Sequence, residues 1–247
     1  MKAPTKAMVL AAGLGTRLRP LTNDRPKALV ELSGRTLLQI TLTRLLNCGI
    51  RDIIINVHHF ADMVVDYLDA HSKFGMNIVV SREDDLLLDT GGGLKKARWF
   101  FEDSGEPFIV HNVDIISTID LARLVHFHQA NDALATLAVQ DRKTSRYLLF
   151  DSALQLCGRR TAEEKPEIAR HSASIQPLAF CGVHVISPRL LDMIEDDGTF
   201  SIIPTYLKLA GRSEKILAFR ADEYYWRDLG TQASLQQATQ DLERLSL

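Results

Sequence analysis

Cysteine is scarce in this chain. Cys48, Cys157 and Cys181 lie far apart and none belongs to a C-x-x-C pair, which argues against a disulfide framework and against a zinc cluster. Long apolar runs are missing too. No stretch approaches the roughly 18 apolar residues needed to cross a bilayer. Residues 1–6 carry neither the apolar core nor the cleavage site of a signal peptide. A soluble, cytoplasmic protein with no membrane partner is expected. An excess of positive charge is also absent: 29 Lys and Arg stand against 31 Asp and Glu, for a formal net charge of −2 and a pI of about 6.4. That balance argues against a broad nucleic-acid surface. What remains is an ordinary globular composition, 247 residues with 46% hydrophobic and 24% charged, enough to bury a full core as a single domain over 1–247. No internal repeat or low-complexity tract interrupts it.

Hydrophobic patterning gives the fold class. Ala7–Ala12 is a short apolar run that ends at Gly13 and reads as a buried strand. Leucine or isoleucine at 37, 38, 42, 45 and 46 follows helical spacing, and Gly49 sits where that helix would stop. Strands are predicted at Asp52–Val57, Asn77–Ser81 and Phe108–Asn112, with helices at Ala61–Ala70 and Leu94–Phe101 between them. Such alternation predicts an α/β protein with a mainly parallel sheet covered on both faces. After Asp114 the rhythm changes. A helix is predicted at Leu121–Gln129, then strands at Ala133–Val139, Tyr147–Phe150 and Phe180–Ile186 with longer connections. Gly158–Pro177 is polar, charged and Pro-containing and reads as a loop or a small excursion from the sheet. Asp222–Trp226 and a helix at Gln232–Leu245 follow.

The chemistry is concentrated after the first strand. Leu10–Thr22 reads L-A-A-G-L-G-T-R-L-R-P-L-T, and Pro26-Lys27 follows shortly. Gly13 and Gly15 let the backbone turn sharply and bring N–H groups close to an anion. Arg17 adds a bidentate guanidinium and Lys27 a point charge, the complement that a triphosphate needs. Two other phosphate loops are excluded. A Walker loop needs G-x-x-x-x-G-K-[ST], whereas Gly15 is followed by Thr16-Arg17; a dinucleotide fold needs a third glycine where Leu18 stands.

The full run, with its downstream P-K, resembles the sugar-1-phosphate nucleotidyltransferase family, which makes nucleoside-diphosphate sugars. The resemblance continues in family order through D-T-G-G-G (Asp89–Gly93), Asp114, E-K-P (Glu164–Pro166) and W-x-D-x-G-T (Trp226–Thr231), spanning nearly the whole chain. It implies a three-layer α/β/α Rossmann-like fold without a carboxy-terminal β-helix. The nucleotide half would cover about 1–115 and the sugar-phosphate half about 116–247. It implies Arg17 and Lys27 as catalytic residues. Leu10, Ala11, Ala12, Gly13, Gly15, Thr16, Gly91, Gly92 and Asn112 would contact the nucleotide, and Lys165 and Gly182 the sugar phosphate. Asp114 and Asp228 would hold Mg²⁺, an ion that takes one or two carboxylates plus phosphate oxygens. The family usually has N-G-D where this chain has Asn112-Val113-Asp114. The partners implied are a nucleoside triphosphate and a sugar 1-phosphate. The short length and the T-G-G-G variant resemble most the branch using UTP with an amino-sugar 1-phosphate such as N-acetylmuramate 1-phosphate. GTP with mannose or heptose 1-phosphate is the alternative, and a non-catalytic nucleotide-sensing homologue is the rival of another class.

Several other positions carry residue types suited to a site. Gly91–Gly93 precede the predicted helix at 94–101, which would leave their N–H groups free for a ligand. Asn56, His58 and His59 end a strand at the expected cleft. Glu83, Asp84 and Asp85 form an acidic patch that reads as solvated rather than catalytic, although Glu83 could approach the base. His126 and His128 are two apart on a helix and do not share a face. Oligomeric state is not legible.

Overall fold

The computed structural model describes residues 6–103, 105–162 and 165–245; residues 1–5 and Glu164 of the E-K-P run lie outside the described residues. Strand β1 (Lys6–Leu10) leads through the glycine loop to a hairpin of β2 (Glu31–Leu32) and β3 (Arg35–Thr36), then helix α1 (Leu37–Asn47). There follow β4 (Asp52–Val57), α2 (Ala61–Ala70), β5 (Asn77–Arg82), α3 (Asp89–Lys96), β6 (Phe108–Asn112), β7 (Ile115–Ser117) and α4 (Leu121–Ala130). The second half comprises β8 (Ala135–Gln140), β9 (Arg146–Phe150), β10 (Leu156–Thr161), β11 (Glu167–Ile168), β12 (Gln176–Ile186), α5 (Arg189–Asp192), α6 (Ile202–Gly211), β13 (Ile216–Arg220), β14 (Trp226–Asp228) and α7 (Gln232–Leu245).

Ten strands form one mixed sheet in the order β11-β10-β9-β12-β6-β1-β4-β5, with β8 pairing β12 and β13. Strands β6, β1, β4 and β5 are parallel neighbours, while β12 enters antiparallel to β6. The period-2 alternation of side chains sorts the central strands between two cores. Ala7, Val9, Ile53, Ile55 and Ile109 face one side with Leu38 and Leu42 of α1, Val64 of α2, Leu124 of α4 and Leu235 of α7. Met8, Ile54, Phe108 and Val110 face the other with Leu94 of α3, Leu190 of α5 and Tyr206 of α6. This is the predicted three-layer arrangement. Local signals fix two helix starts: Thr36 accepts from the Gln39 N–H at 3.0 Å, and Asp120 from the Arg123 N–H at 2.9 Å.

Of the two readings for Gly158–Pro177 the structure has the excursion from the sheet: β10 and β11 pair antiparallel there, and Gln176 already begins β12. The polar composition reflects an arm at the sheet edge, where β11 is exposed. The helix expected at 94–101 starts earlier, at Asp89, and ends at Lys96, with a short 3₁₀ turn at Arg98–Phe100. Its glycines lie within the helix because larger side chains cannot fit there, as the site shows.

Candidate active site

A cleft of about 430 Å³ opens at the carboxyl ends of β1, β4 and β6, lined by Leu10–Gly13, Gly15–Arg17, Lys27, Asn56, Leu87, Asp89, Thr90, Asn112–Asp114, Thr199 and Gly230. Ligands favour this edge of a parallel sheet, where strand ends and loop N–H groups converge. The glycine loop is held by its own residues. Gly15 has φ +64, and a Cβ there would lie 3.0 Å from Thr22 Cγ2 and 3.1 Å from Lys27 Cβ. The Gly15 carbonyl accepts from the Leu18 N–H at 2.9 Å and from Thr22 Oγ1 at 2.9 Å. A Cβ at Gly13 would meet nothing within 4 Å, so the backbone there faces open cleft.

Four charged groups gather at one end. Lys27, 8% exposed, forms an ion pair with Asp114 Oδ2. The two-stranded β7–β14 ribbon sets Asp228 opposite Ile115, and the Leu229 N–H donates to the Asp114 carbonyl at 2.8 Å. This pairing brings together two aspartates more than a hundred residues apart. Asp228 Oδ1 accepts from the Gly230 N–H at 2.6 Å. A Cβ on Gly230 would sit 2.6 Å from both Asp228 Oδ1 and Arg17 Nη2, so the guanidinium and the carboxylate flank one glycine. Val113 stands where the family usually has glycine, and Asp114 beside it reaches Lys27. The Val113 side chain is buried in the core, and its N–H donates to the Leu10 carbonyl at 3.1 Å.

The opposite wall rests on a buried polar chain. Asn56 Oδ1 accepts from the Ala11 N–H at 2.8 Å, while its Nδ2 donates to Glu83 Oε1 at 2.7 Å. Glu83 is 1% exposed, and its Oε2 accepts from the Leu88 N–H at 2.9 Å. Glu83 therefore belongs to the wall. Asp84 instead pairs with Arg82 on the exposed surface. His58 Nδ1 contacts the Glu83 carbonyl at 2.6 Å, and His128 sits between Thr136 Oγ1 and Ser187 Oγ, away from the cleft. His59 and His126 are exposed.

The N–H groups of Gly91 and Gly92, expected to be free for a ligand, are occupied. Both N–H groups donate to the Phe200 carbonyl, at 2.9 and 3.2 Å, and neither residue lines the cleft. A Cβ at Gly91 would meet the Phe200 ring at 2.4 Å, and one at Gly92 the Gly198 carbonyl at 2.2 Å. The glycines permit close packing against residues 198–200; Leu87, Asp89, Thr90 and Thr199 make the wall. Thr199 was missed because its segment carries no motif and comes into place only through tertiary contacts, including Thr199 Oγ1 to the Leu87 carbonyl at 2.7 Å. Gly182, at φ +71, abuts Asn112: a Cβ would lie 2.9 Å from Asn112 Nδ2. Lys165 is exposed between β10 and β11 and does not line the cleft.

Fold and site together define an α/β protein of the Rossmann-like kind whose cleft gathers two cations and two carboxylates at one end. The sequence profile described as nucleotidyl transferase matches residues 6–244, and the chain belongs to that family. The N-acetylmuramate alpha-1-phosphate uridylyltransferase of Caulobacter vibrioides is 37% identical over 217 residues, covering 85% of this chain and 86% of that protein. The mannose-1-phosphate guanyltransferase 2 of Candida glabrata is 31% identical, covering 91% of this chain, which spans 61% of that longer protein. HddC from Yersinia pseudotuberculosis, solved with GMP-PN, superposes with a TM-score of 0.73 at 22% identity, covering 96% of this chain and 99% of that one. The inositol-1-phosphate CTP transferase of T. maritima gives 0.77 at 16%, covering 99% and 97%. At such identities these two likenesses speak for the fold. No described helix is long and apolar enough to cross a membrane.

Proposed function

We propose that the chain joins a nucleoside triphosphate to a sugar 1-phosphate, releasing pyrophosphate. The observation that carries this reading is the convergence of Lys27–Asp114 with Arg17, Gly230 and Asp228 at the end of the glycine loop. An oxygen of the sugar phosphate attacks the α-phosphorus in line. The new O–P bond forms as the bridging bond to the β-phosphate breaks, and its electron pair leaves with pyrophosphate. The nucleophile is already an anion at neutral pH, so alignment and charge neutralisation supply the catalysis. Arg17 is assigned to the departing β- and γ-phosphates and Lys27 to the α-phosphate. Loop residues Leu10–Gly13, Gly15, Thr16 and Asn112 are assigned to the nucleotide, Gly182 and Lys165 to the sugar-phosphate side.

Asp114 and Asp228 fit a magnesium ion. Among the described residues no cluster of three or more His, Cys, Asp or Glu is arranged as a metal cage. Two carboxylates with room for phosphate oxygens and water are what Mg²⁺ prefers. When bound there it would supply positive charge to the phosphate groups. The nucleotide and sugar roles of residues 1–115 and 116–247 within one domain belong to this reading, as does a cytoplasmic setting, where nucleoside triphosphates are abundant.

UTP and an amino-sugar 1-phosphate of the N-acetylmuramate type are the favoured pair, supported by the 37% identity to a uridylyltransferase over most of both chains. GTP with mannose or heptose 1-phosphate is the second reading, supported by the 31% identity to a guanyltransferase. A non-catalytic sensor is disfavoured by the presence of all four charged groups. The test is a matrix of four nucleoside triphosphates against a panel of sugar 1-phosphates with Mg²⁺, reading pyrophosphate. Release with UTP and N-acetylmuramate 1-phosphate above all other pairs is expected; release with no pair overturns the reading.

A further inference from the structure

Arg142 lies just beyond β8 and outside every motif discussed above. Its guanidinium carbon stands 3.7 Å over the Trp226 ring, and its Nη2 donates to the Phe180 carbonyl at 2.9 Å. Its Nε is buried with no hydrogen-bond partner, and no described carboxylate lies within ion-pair distance. Burial pushes its pKa down. A half-buried cation without a counter-charge is costly, and such groups are usually paired. Other partly buried arginines have their groups met: Arg170 pairs with Asp151 at 2.5 Å and Arg227 with Asp241 at 2.7 Å, and Arg44, without a carboxylate, donates to Ser117 Oγ and the Ile119 carbonyl, whereas Arg142 keeps a buried Nε with no partner.

The position explains the exception. Trp226 and Asp228 are two residues apart on β14 and therefore point to the same face, roughly 7 Å apart along the strand. Arg142, stacked on Trp226, therefore lies on the face of β14 that carries Asp228. Arg142 stands outside the lining of the cleft around Lys27 and Asp114, on the side built from the second half of the chain. Stacking and the Phe180 bond hold the planar fork in place before any ligand arrives, which lowers the entropy lost on binding an oxyanion.

We propose that Arg142 binds an oxyanion of the second substrate, holding the sugar 1-phosphate beside Asp228. This rests on the transferase reading for the identity of the ligand and on the buried, unpartnered Nε of Arg142 for the site. The oxyanion is the phosphate itself or a carboxylate carried by the sugar, and both suit the same fork.

The test uses Arg142→Met and Arg142→Lys in the full chain, with KM for each substrate read from pyrophosphate release. Binding is read separately from Trp226 fluorescence in a Trp99→Phe background, since the chain has only these two tryptophans. Arg142→Met is expected to raise KM for the sugar 1-phosphate about ten-fold or more, the loss of one charge-assisted contact, and to leave KM for the nucleoside triphosphate within about two-fold. Arg142→Lys, which retains the charge, recovers part of the loss and decides the matter should the methionine variant fail to fold. An equal rise for N-acetylglucosamine 1-phosphate and N-acetylmuramate 1-phosphate assigns the phosphate; a rise confined to the latter assigns its carboxylate. Unchanged KM values, or equal rises for both substrates, overturn the proposal and leave Arg142 as a support for Trp226. Should the wild type bind sugar 1-phosphate through Arg142 without turnover, the transferase reading falls and Arg142 stands. Normal turnover with unaltered binding in Arg142→Met sinks Arg142 alone.

Discussion

Glu83→Gln is a nearly isosteric change with a calculable effect. Both carboxylate oxygens of Glu83 accept, one from Asn56 Nδ2 at 2.7 Å and one from the Leu88 N–H at 2.9 Å. Glutamine offers one acceptor and places an NH₂ against the other donor. Asn56 cannot rotate its amide to compensate, because its Oδ1 already accepts from the Ala11 N–H at 2.8 Å. The Leu88 backbone has no such freedom either. One charge-assisted bond is therefore lost at a site 1% exposed, which costs about 2 kcal/mol. In a chain of this size each kcal/mol moves the melting temperature by about 2–4 °C, so a fall of about 4–8 °C is expected. The loosened segment includes Leu87, which lines the cleft, so KM for the nucleoside triphosphate should rise while KM for the sugar 1-phosphate changes little. Thermal unfolding and steady-state kinetics on the same preparation measure both. A melting temperature within 1 °C of wild type would refute the structural role of the Asn56–Glu83–Leu88 chain.

Three further outcomes are expected. Gly230→Ala puts a Cβ 2.6 Å from Arg17 Nη2; the exposed arginine swings aside, so melting changes little while kcat/KM falls roughly 100-fold, and unaltered kinetics would remove Arg17 from the phosphate end. Asp114→Asn keeps an acceptor for Lys27 and a folded chain, yet turnover drops by roughly 10²-fold or more, with near-normal pyrophosphate release contradicting the assignment. Burial holds His111 and His184 down at about 3 and His128 at about 4. The unfolded chain therefore takes up protons below about pH 6.5 that the folded chain refuses. Stability is full above that pH and falls as pH drops toward 4, by about 1.4 kcal/mol per histidine per pH unit; a melting temperature flat from pH 7.5 to 5 would show that these histidines titrate freely.

Much of this was legible in the sequence because its causes are local. Strand β1 and its glycine loop form one continuous run, and Gly15 is required by its own neighbours Thr22 and Lys27. The alternation of strand and helix predicted a sheet covered on both faces, and the structure fills them with Ala7 and Val9 on one side and Met8 on the other. What was hidden depends on contacts distant in sequence. Three glycines before a leucine look like free N–H groups; only the Phe200 carbonyl, more than a hundred residues on, shows that two of them are occupied. Glu83 reads as part of a solvated acidic run until Asn56 and Leu88 close over it. Thr199 and Arg142 have no signature at all. Their places follow from how residues 196–202 dock on the 87–92 segment and how β14 lies against β7.

Phosphorus NMR of a reaction with UTP, N-acetylmuramate 1-phosphate and Mg²⁺ tests the transfer most directly, because it identifies which bond is made. Equal amounts of a nucleoside-diphosphate sugar and pyrophosphate are expected, formed at the expense of both substrates. Nucleoside diphosphate with inorganic phosphate, or a sugar phosphate left untouched while the triphosphate is consumed, would contradict attack at the α-phosphorus in this cleft.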